Sequence, residues 1–287
     1  MADLPLPGTG RAWVAVPAPG RGPGCWAGAP SAALDRDGAI VLAYRVRDPE
    51  RRGGAVVIAR AVDGERFATE LVLDKDRFGA ESLERPALVR TADGGWRLYV
   101  CCATPHSAHW RIDALDARVL PALAEARPTT VFAGDERTGV KDPVIRRRAG
   151  RWEAWICCHP LDEPGHEDRM TTAYVTSADG LTWGRLRTVL APRPSGWDAR
   201  GTRVTAVLAD GRALYDGRAT REENFSERTG VAVPVAGGGL RAAGDRPVAV
   251  VRYVDAVAVP GGHRLYYEAP LPDGSHELRT ELISRSG

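Results

Sequence analysis

Charged side chains stand at the head of several apolar runs in this 287-residue sequence: Glu84-Arg85 before Pro86, Lys141-Asp142 before Pro143, Arg203 before Val204, and Asp255 after Val254. Brought together by a fold, they would place acids and arginines in one small space. Carboxylates so placed can give and take protons, and guanidinium forks can bind a carboxylate, sulfate or phosphate or orient the acids. The same groups could serve only as buried ion pairs, but several ionisable groups converging on a concave site favour a functional role. Further acids, Asp216 and Glu268, close two other apolar runs, and His159 follows Cys157-Cys158 as a candidate general base. Trp26, Trp110 and Trp197 are candidates for a stacking platform, although such residues more often pack a core. No metal or cofactor is expected. Adjacent cysteines on a strand point to opposite faces, so the pairs Cys101-Cys102 and Cys157-Cys158 read as buried thiols.

The elements that must position these residues show themselves as a repeat. Trp96-Arg-Leu-Tyr-Val-Cys101-Cys102 and Trp152-Glu-Ala-Trp-Ile-Cys157-Cys158 match in pattern 56 residues apart, each after a turn glycine. Extended along the chain, the pattern gives turn glycines at 38, 94, 150, 211 and 262, each followed by an apolar strand and preceded by another short run. Those preceding runs are 29–34, 85–89, 142–145, 203–207 and 254–258. The aligned starts are Ala29, Arg85, Asp142, Arg203 and Val254-Asp255. Outer strands are expected at 55–61, 110–114 and 172–176, a helical turn at 120–127, and a tight turn at Ser177–Trp183 whose Trp caps a sheet. Arg218–Arg228 reads as a hairpin loop or a lid.

Composition agrees with many short strands. Gly 32 and Pro 21 break the chain too often for a helical bundle, and 44% hydrophobic residues exclude wholesale disorder. Basic and acidic residues number 39 and 37 and are dispersed, which is not a nucleic-acid footprint. No apolar stretch approaches a bilayer span, and Met1–Arg11 lacks a basic region followed by an apolar run. Five cysteines without a secreted disulfide spacing fit a reduced cytoplasm.

A hairpin unit of 51 to 61 residues repeated five times implies an all-β, five-bladed β-propeller, one domain over residues 1–287. The 25 residues after Gly262 and the 37 before Gly38 together make about one more period. The last unit offers three strands, 254–259, 263–268 and 276–283, so Arg11–Val16 is expected to supply the fourth and close the ring. In such a ring the first strand of each blade lines the axial channel, which is where the aligned charged residues would meet.

The repeat, the Glu84-Arg85-Pro86 and Lys141-Asp142-Pro143 starts, the Ser177–Trp183 turn and the Tyr215-Asp216-Gly217 strand end resemble the five-bladed glycosidases of families 43, 32, 62 and 68 and the family 130 phosphorylases. That resemblance implies a glycoside hydrolase-like enzyme acting on a small sugar or glycosylated metabolite in the axial funnel. It also implies a carboxylate from the first blade, an orienting Asp and a later Glu acid. Asp142 matches the orienting Asp. Ala29-Pro30-Ser31 replaces the first-blade acid, and Arg85 stands where a second Asp would be. Cleavage needs a protonated acid and an ionised carboxylate; Glu84, Asp142, Asp255 and Glu268 are the candidates, Asp216 a reserve, with Arg85, Arg203, Asp216 and Trp26 as ligand-binding residues. Two other readings stay open: a non-catalytic binding or scaffold propeller, and a propeller reused for other acid–base chemistry with His159 or Asp142 as base. A carbohydrate or anionic small molecule is the expected partner, with neither nucleic acid nor membrane.

Overall fold

The computed structural model describes residues 4–284; the ends of the 1–287 span, and the start of the Met1–Arg11 segment, lie outside the described residues. The chain opens with β1 (Ala12–Val16) and continues in groups of short strands. Group I is β2 (Trp26–Leu34), β3 (Ile40–Arg47), β4 (Ala55–Ala61) and β5 (Ala68–Asp74). Group II is β6 (Leu83–Arg90), β7 (Trp96–Ala103), β8 (Trp110–Ala117) and β9 (Thr129–Phe132). Group III is β10 (Thr138–Arg148), β11 (Arg151–Pro160), β12 (Thr171–Ser177) and β13 (Arg187–Leu190). Group IV is β14 (Gly201–Val207), β15 (Ala213–Arg218), β16 (Arg228–Val235) and β17 (Gly239–Ala243), and group V is β18 (Arg252–Val259), β19 (Gly262–Pro270) and β20 (His276–Ser284). The helical turn expected after Leu120 is a 3-10 turn, Leu120–Ala124. No helix among the described residues is long and apolar enough to cross a membrane.

Strands pair antiparallel with their sequence neighbours inside each group, as hairpins require. β1 pairs with β20, Ala12 opposite Glu281 and Trp13 opposite Thr280, so the N-terminal strand completes group V. The Glu281 carboxylate fastens it further by accepting the Gly8 and Gly10 amides. A single parallel bridge, Trp26 with His276, joins groups V and I into one eight-stranded sheet; groups II, III and IV are separate four-stranded sheets.

The turn glycines at 38, 94, 150 and 211 all have φ between +80° and +87°, the left-handed region that a Cβ disfavours. In group V that role falls to Gly261, φ +83°, and not to Gly262 as the repeat suggested. Gly262 already belongs to β19, where an added Cβ would meet the Ile283 carbonyl oxygen at 2.1 Å.

Strand side chains alternate between faces, so each group buries one face against each neighbour. β7 sends Leu98, Val100 and Cys102 toward Val41 and Ile58 of group I. Its Tyr99 and Cys101 pack with Ala154 and Ile156 of group III. Trp155 meets Tyr215 between groups III and IV, Leu214 meets Leu265 between IV and V, and Tyr266 meets Leu42 between V and I. The first strands pack in a closed circuit, β2 on β6, β6 on β10, β10 on β14, β14 on β18 and β18 on β2.

Candidate functional site

Every first strand carries a bulge, and in four of the five it stands at the same height. Opposite a single partner residue stand Ala29-Pro30 in β2, Arg85-Pro86 in β6, Asp142-Pro143 in β10 and Tyr253-Val254 in β18; β14 shifts register between Val204 and Ala206. Proline suits a bulge because it has no N–H to give the ladder. The extra residue turns its neighbour toward the centre of the circuit. Ala29, Asp142 and Tyr253 take φ of +53°, +50° and +54° to do so, a conformation that costs about 1–3 kcal/mol for a side chain with a Cβ and is met mainly at functional positions.

A continuous chain of ion pairs runs around these bulges and through every group. Glu84 pairs with Arg45 at 3.0 Å, Arg45 with Glu268 at 2.9 Å, Glu268 with Arg252 at 2.6 Å and Arg252 with Glu227 at 2.8 Å. Glu227 continues to Arg203 at 3.5 Å and Arg218 at 3.3 Å, and Arg203 ends the chain on Asp216 at 2.7 Å and Asp142 at 3.0 Å. All are buried. Tyr253 fills the middle, its hydroxyl 2.9 Å from Arg203 and its ring 3.8 Å beneath the same guanidinium.

These neighbours set the protonation states. Burial raises the Glu227 pKa, but Arg252, Arg203 and Arg218 outweigh it and bring the group down to about 2. Glu268 and Asp142 are likewise buried and held well ionised, the first by Arg252, Arg45 and His276, the second by Arg203, Lys141, Arg85 and Arg45. Asp216 goes the other way, to about 6, because burial and nearby Glu227 together outweigh Arg203.

The chain of pairs is open between groups II and III. There the surface dips into a hollow of about 400 Å³, lined among others by Trp110, Lys141, His159, Asp168, Arg218 and Phe225. A second hollow of about 250 Å³ shares Arg52, Trp110, His159 and Glu167 with it. Lys141 has no carboxylate partner among the described residues; its ammonium stands 5.4 Å from the Trp110 ring centroid. His159 is pushed down to about 3 by burial and by Lys141, so it is a neutral imidazole. The segment after Arg218 reaches across to group I, where Phe225 lies 5.0 Å from Trp26 and Arg47 stands over both rings.

No family profile and no curated protein matches this sequence. Solved structures do match in shape. A thermostable family-43 glycoside hydrolase superposes with a TM-score of 0.71 at 12% identity, over 96% of this chain and 97% of its own. The fold is that of propeller glycoside hydrolases. An α-L-arabinofuranosidase from Lactobacillus brevis follows it at TM-score 0.67 and 14% identity, with 90% of each chain covered. A β-1,2-mannobiose phosphorylase from Listeria innocua superposes at 0.63 and 15% identity, over 90% of this chain and 89% of the other.

On this glycosidase fold the residues singled out from the sequence separate into three sets. Asp142, Glu84, Glu268, Arg203 and Asp216 belong to the ion-pair chain. Arg85 points into the circuit but bonds backbone carbonyls, those of Pro30 and Thr205. Asp255 stands apart from the ion-pair chain. The bulge residue of group V is Tyr253, so Asp255 lies two positions beyond it, accepting the Ala32 amide with its pKa raised by burial. Trp26 is buried, stacked on His276 at 4.8 Å and covered by Phe225 and Arg47, while Trp197 stacks on Tyr215 in the core. Of the three tryptophans it is Trp110 that lines the hollow with His159. The sequence reading missed Arg45, Arg218, Glu227, Arg252 and Tyr253. Two of these had a visible signal: Arg45 stands with Glu268 in the column of the repeat held by Cys101 and Cys157, and Arg252 stands in the opposite column, held by Gly28, Glu84 and Lys141.

Gly28 shows how tightly the charges are packed. A Cβ there would lie 1.6 Å from Glu268 Oε2, in the space through which Glu268 reaches the Ala29 amide. Gly28→Ala should therefore expel the carboxylate and cost about 3–5 kcal/mol, the usual loss on breaking a buried pair, read as a lower urea midpoint at unchanged slope.

Proposed function

We propose that the chain forms a single five-bladed propeller, each group with its first strand at the axis being one blade, and that it receives a small sugar bearing an anionic group in the hollow at Lys141. The equivalent bulges, the closed circuit of first strands and the N-terminal strand in the last sheet support the ring. The ligand class rests on Lys141: Arg45, Arg203, Arg218 and Arg252 are paired with carboxylates and Arg85 is buried against backbone carbonyls, whereas Lys141 lines an open hollow beside an indole. An aromatic ring and a free ammonium suit a sugar ring with a phosphate, sulfate or carboxylate. The neighbouring structures, a glycoside hydrolase and a mannobiose phosphorylase among them, support a sugar. Free buried thiols suit a reducing cytoplasm.

We read the site as binding rather than cleaving. Hydrolysis needs a proton donor and an ionised partner that both touch the sugar. Asp142, Glu227 and Glu268 are held ionised by arginines, and Asp216, the central acid raised toward neutrality, is fully buried behind Arg203. One observation favours turnover instead: His159 brings a neutral imidazole to the same hollow and could act as a base. Calorimetric titration with hexose phosphates, uronic acids and neutral hexoses tests the proposal. The acidic sugars are expected to bind more tightly, with Lys141→Gln weakening them about tenfold, some 1.4 kcal/mol, and leaving the neutral sugars unchanged. Equal binding of both classes overturns it. Turnover of aryl glycosides that is lost in Asp142→Asn at matched melting temperature establishes the hydrolase reading, and turnover lost in His159→Gln the acid–base one.

A further inference from the structure

Besides the hollow at Lys141, a cleft of about 790 Å³ lies between groups II and III. Its inner wall is apolar, with Phe132, Val140 and Ala173 all nearly inaccessible. Trp183 lines it from the Ser177–Trp183 turn, which is tied down at several points. The Ser177 hydroxyl donates to the Thr182 carbonyl and accepts from the Gly180 amide, Asp179 accepts the Leu181 and Thr182 amides, and Tyr99 and Arg97 of group II donate to carbonyls of Gly180 and Asp179. The indole is packed 5.2 Å from the Phe132 ring, and its N–H is buried with no acceptor. The tied-down turn and this packing hold the indole fixed in the cleft wall.

Charge narrows the ligand further. Arg137 and Arg185 line the cleft and have no carboxylate partner among the described residues, whereas Arg169 is occupied by Asp162 and Glu163. Asp135 is the one carboxylate in the lining, and it is engaged by the Arg137 amide. An apolar wall with a fixed indole accepts a flat ring, and unpaired guanidinium groups accept an anion. We propose that this cleft is a second small-molecule site, separate from the hollow at Lys141, for an aromatic ring carrying an anionic substituent. His159 lines both spaces and, being neutral, adds no charge to either.

The probes are 2-naphthoate and its neutral counterpart 2-naphthalenemethanol, titrated into the full chain by calorimetry. Naphthoate should bind at least tenfold more tightly than the alcohol. Arg137→Gln with Arg185→Gln should bring naphthoate down to the affinity of the alcohol while leaving the alcohol unchanged. Thr188→Trp, at an exposed position of β13 on the cleft wall, should abolish both without lowering the melting temperature. Hexose phosphate should not compete with naphthoate, which keeps this site distinct from the one at Lys141 whether or not that one exists. Failure of naphthoate to bind, equal affinity for the two probes, binding unchanged by either variant, or competition by hexose phosphate overturns the assignment.

Discussion

Glu268→Gln should lower the melting temperature by roughly 6–20 °C. The substitution keeps the shape of the side chain but removes the charge that neutralises Arg45 and Arg252 and accepts from the Ala29 amide and His276. Breaking a buried pair costs about 3–5 kcal/mol, and for a chain of this size each kcal/mol moves the midpoint by about 2–4 °C. Glu84→Gln is the contrast: that carboxylate ends the chain of pairs, touches only Arg45 within it and keeps some exposure, so its loss should be no more than a third as large. A third variant separates charge imbalance from lost packing. Replacing Arg45, Glu268 and Arg252 together by Met, Leu and Met removes the desolvated charges and should recover part of the stability lost in Glu268→Gln, since apolar replacements of buried ion groups are often neutral or better. Equal melting points for Glu268→Gln and Glu84→Gln would show that the pairs contribute little, whatever their geometry.

The fold was legible because its signals are local. A turn glycine with positive φ and an apolar strand of alternating faces need no distant partner to be recognised, and the hairpins at 38, 94, 150 and 211 stand where the glycines put them. The slip in group V is also local. Where the other bulges carry Pro30, Pro86 and Pro143, β18 carries Val254, and without the proline the pattern was set one residue late, so Asp255 displaced Tyr253 from the aligned column. Coordinates of the site were less accessible. Glu227 looks like one more charge in the segment after Arg218, yet its carboxylate is buried among Arg203, Arg218 and Arg252. Nothing in its own sequence neighbourhood announces that burial, which depends on how three strands from two groups converge.

Convergence also explains why a glycosidase fold need not carry a glycosidase mechanism. Position 29, where the resemblance expects an acid, holds Ala29, and the nearest carboxylate is that of Glu268, entering from group V through the gap left by Gly28. That carboxylate faces two guanidinium groups rather than an open cleft. Arg85 and Arg203, which the sequence offered as anion forks, are spent on carbonyls and on acids of the protein itself. Lys141, one residue before Asp142, lines the hollow beside Trp110 and has no carboxylate partner among the described residues.

Stability should pass through a maximum between about pH 4 and pH 6. Carboxylates shifted in opposite directions determine it. Glu227, folded at about 2, and Glu268, also depressed, are below their unfolded values near 4.5, so their contribution is complete above pH 4.5 and is lost as the unfolded chain takes up protons first on the way down to pH 2. Asp216, folded at about 6 against 3.8 unfolded, acts in reverse: the folded state takes up its proton first, so stability rises as pH falls from about 6 toward 4, and is lower above 6 where the buried group is ionised. Urea unfolding from pH 2 to pH 8 should show a steep acid limb and a shallower decline on the neutral side. Asp216→Asn cannot ionise and should flatten the neutral limb alone, while Glu227→Gln should make the acid limb shallower, Glu268 still contributing to it, and should move the neutral limb to lower pH, because Glu227 is one of the groups that raise Asp216. A curve that rises monotonically from pH 2 to pH 8 in the parent chain, or a neutral limb that survives in Asp216→Asn, would mean that Asp216 is ionised throughout, with Arg203 and the Tyr253 amide outweighing its burial.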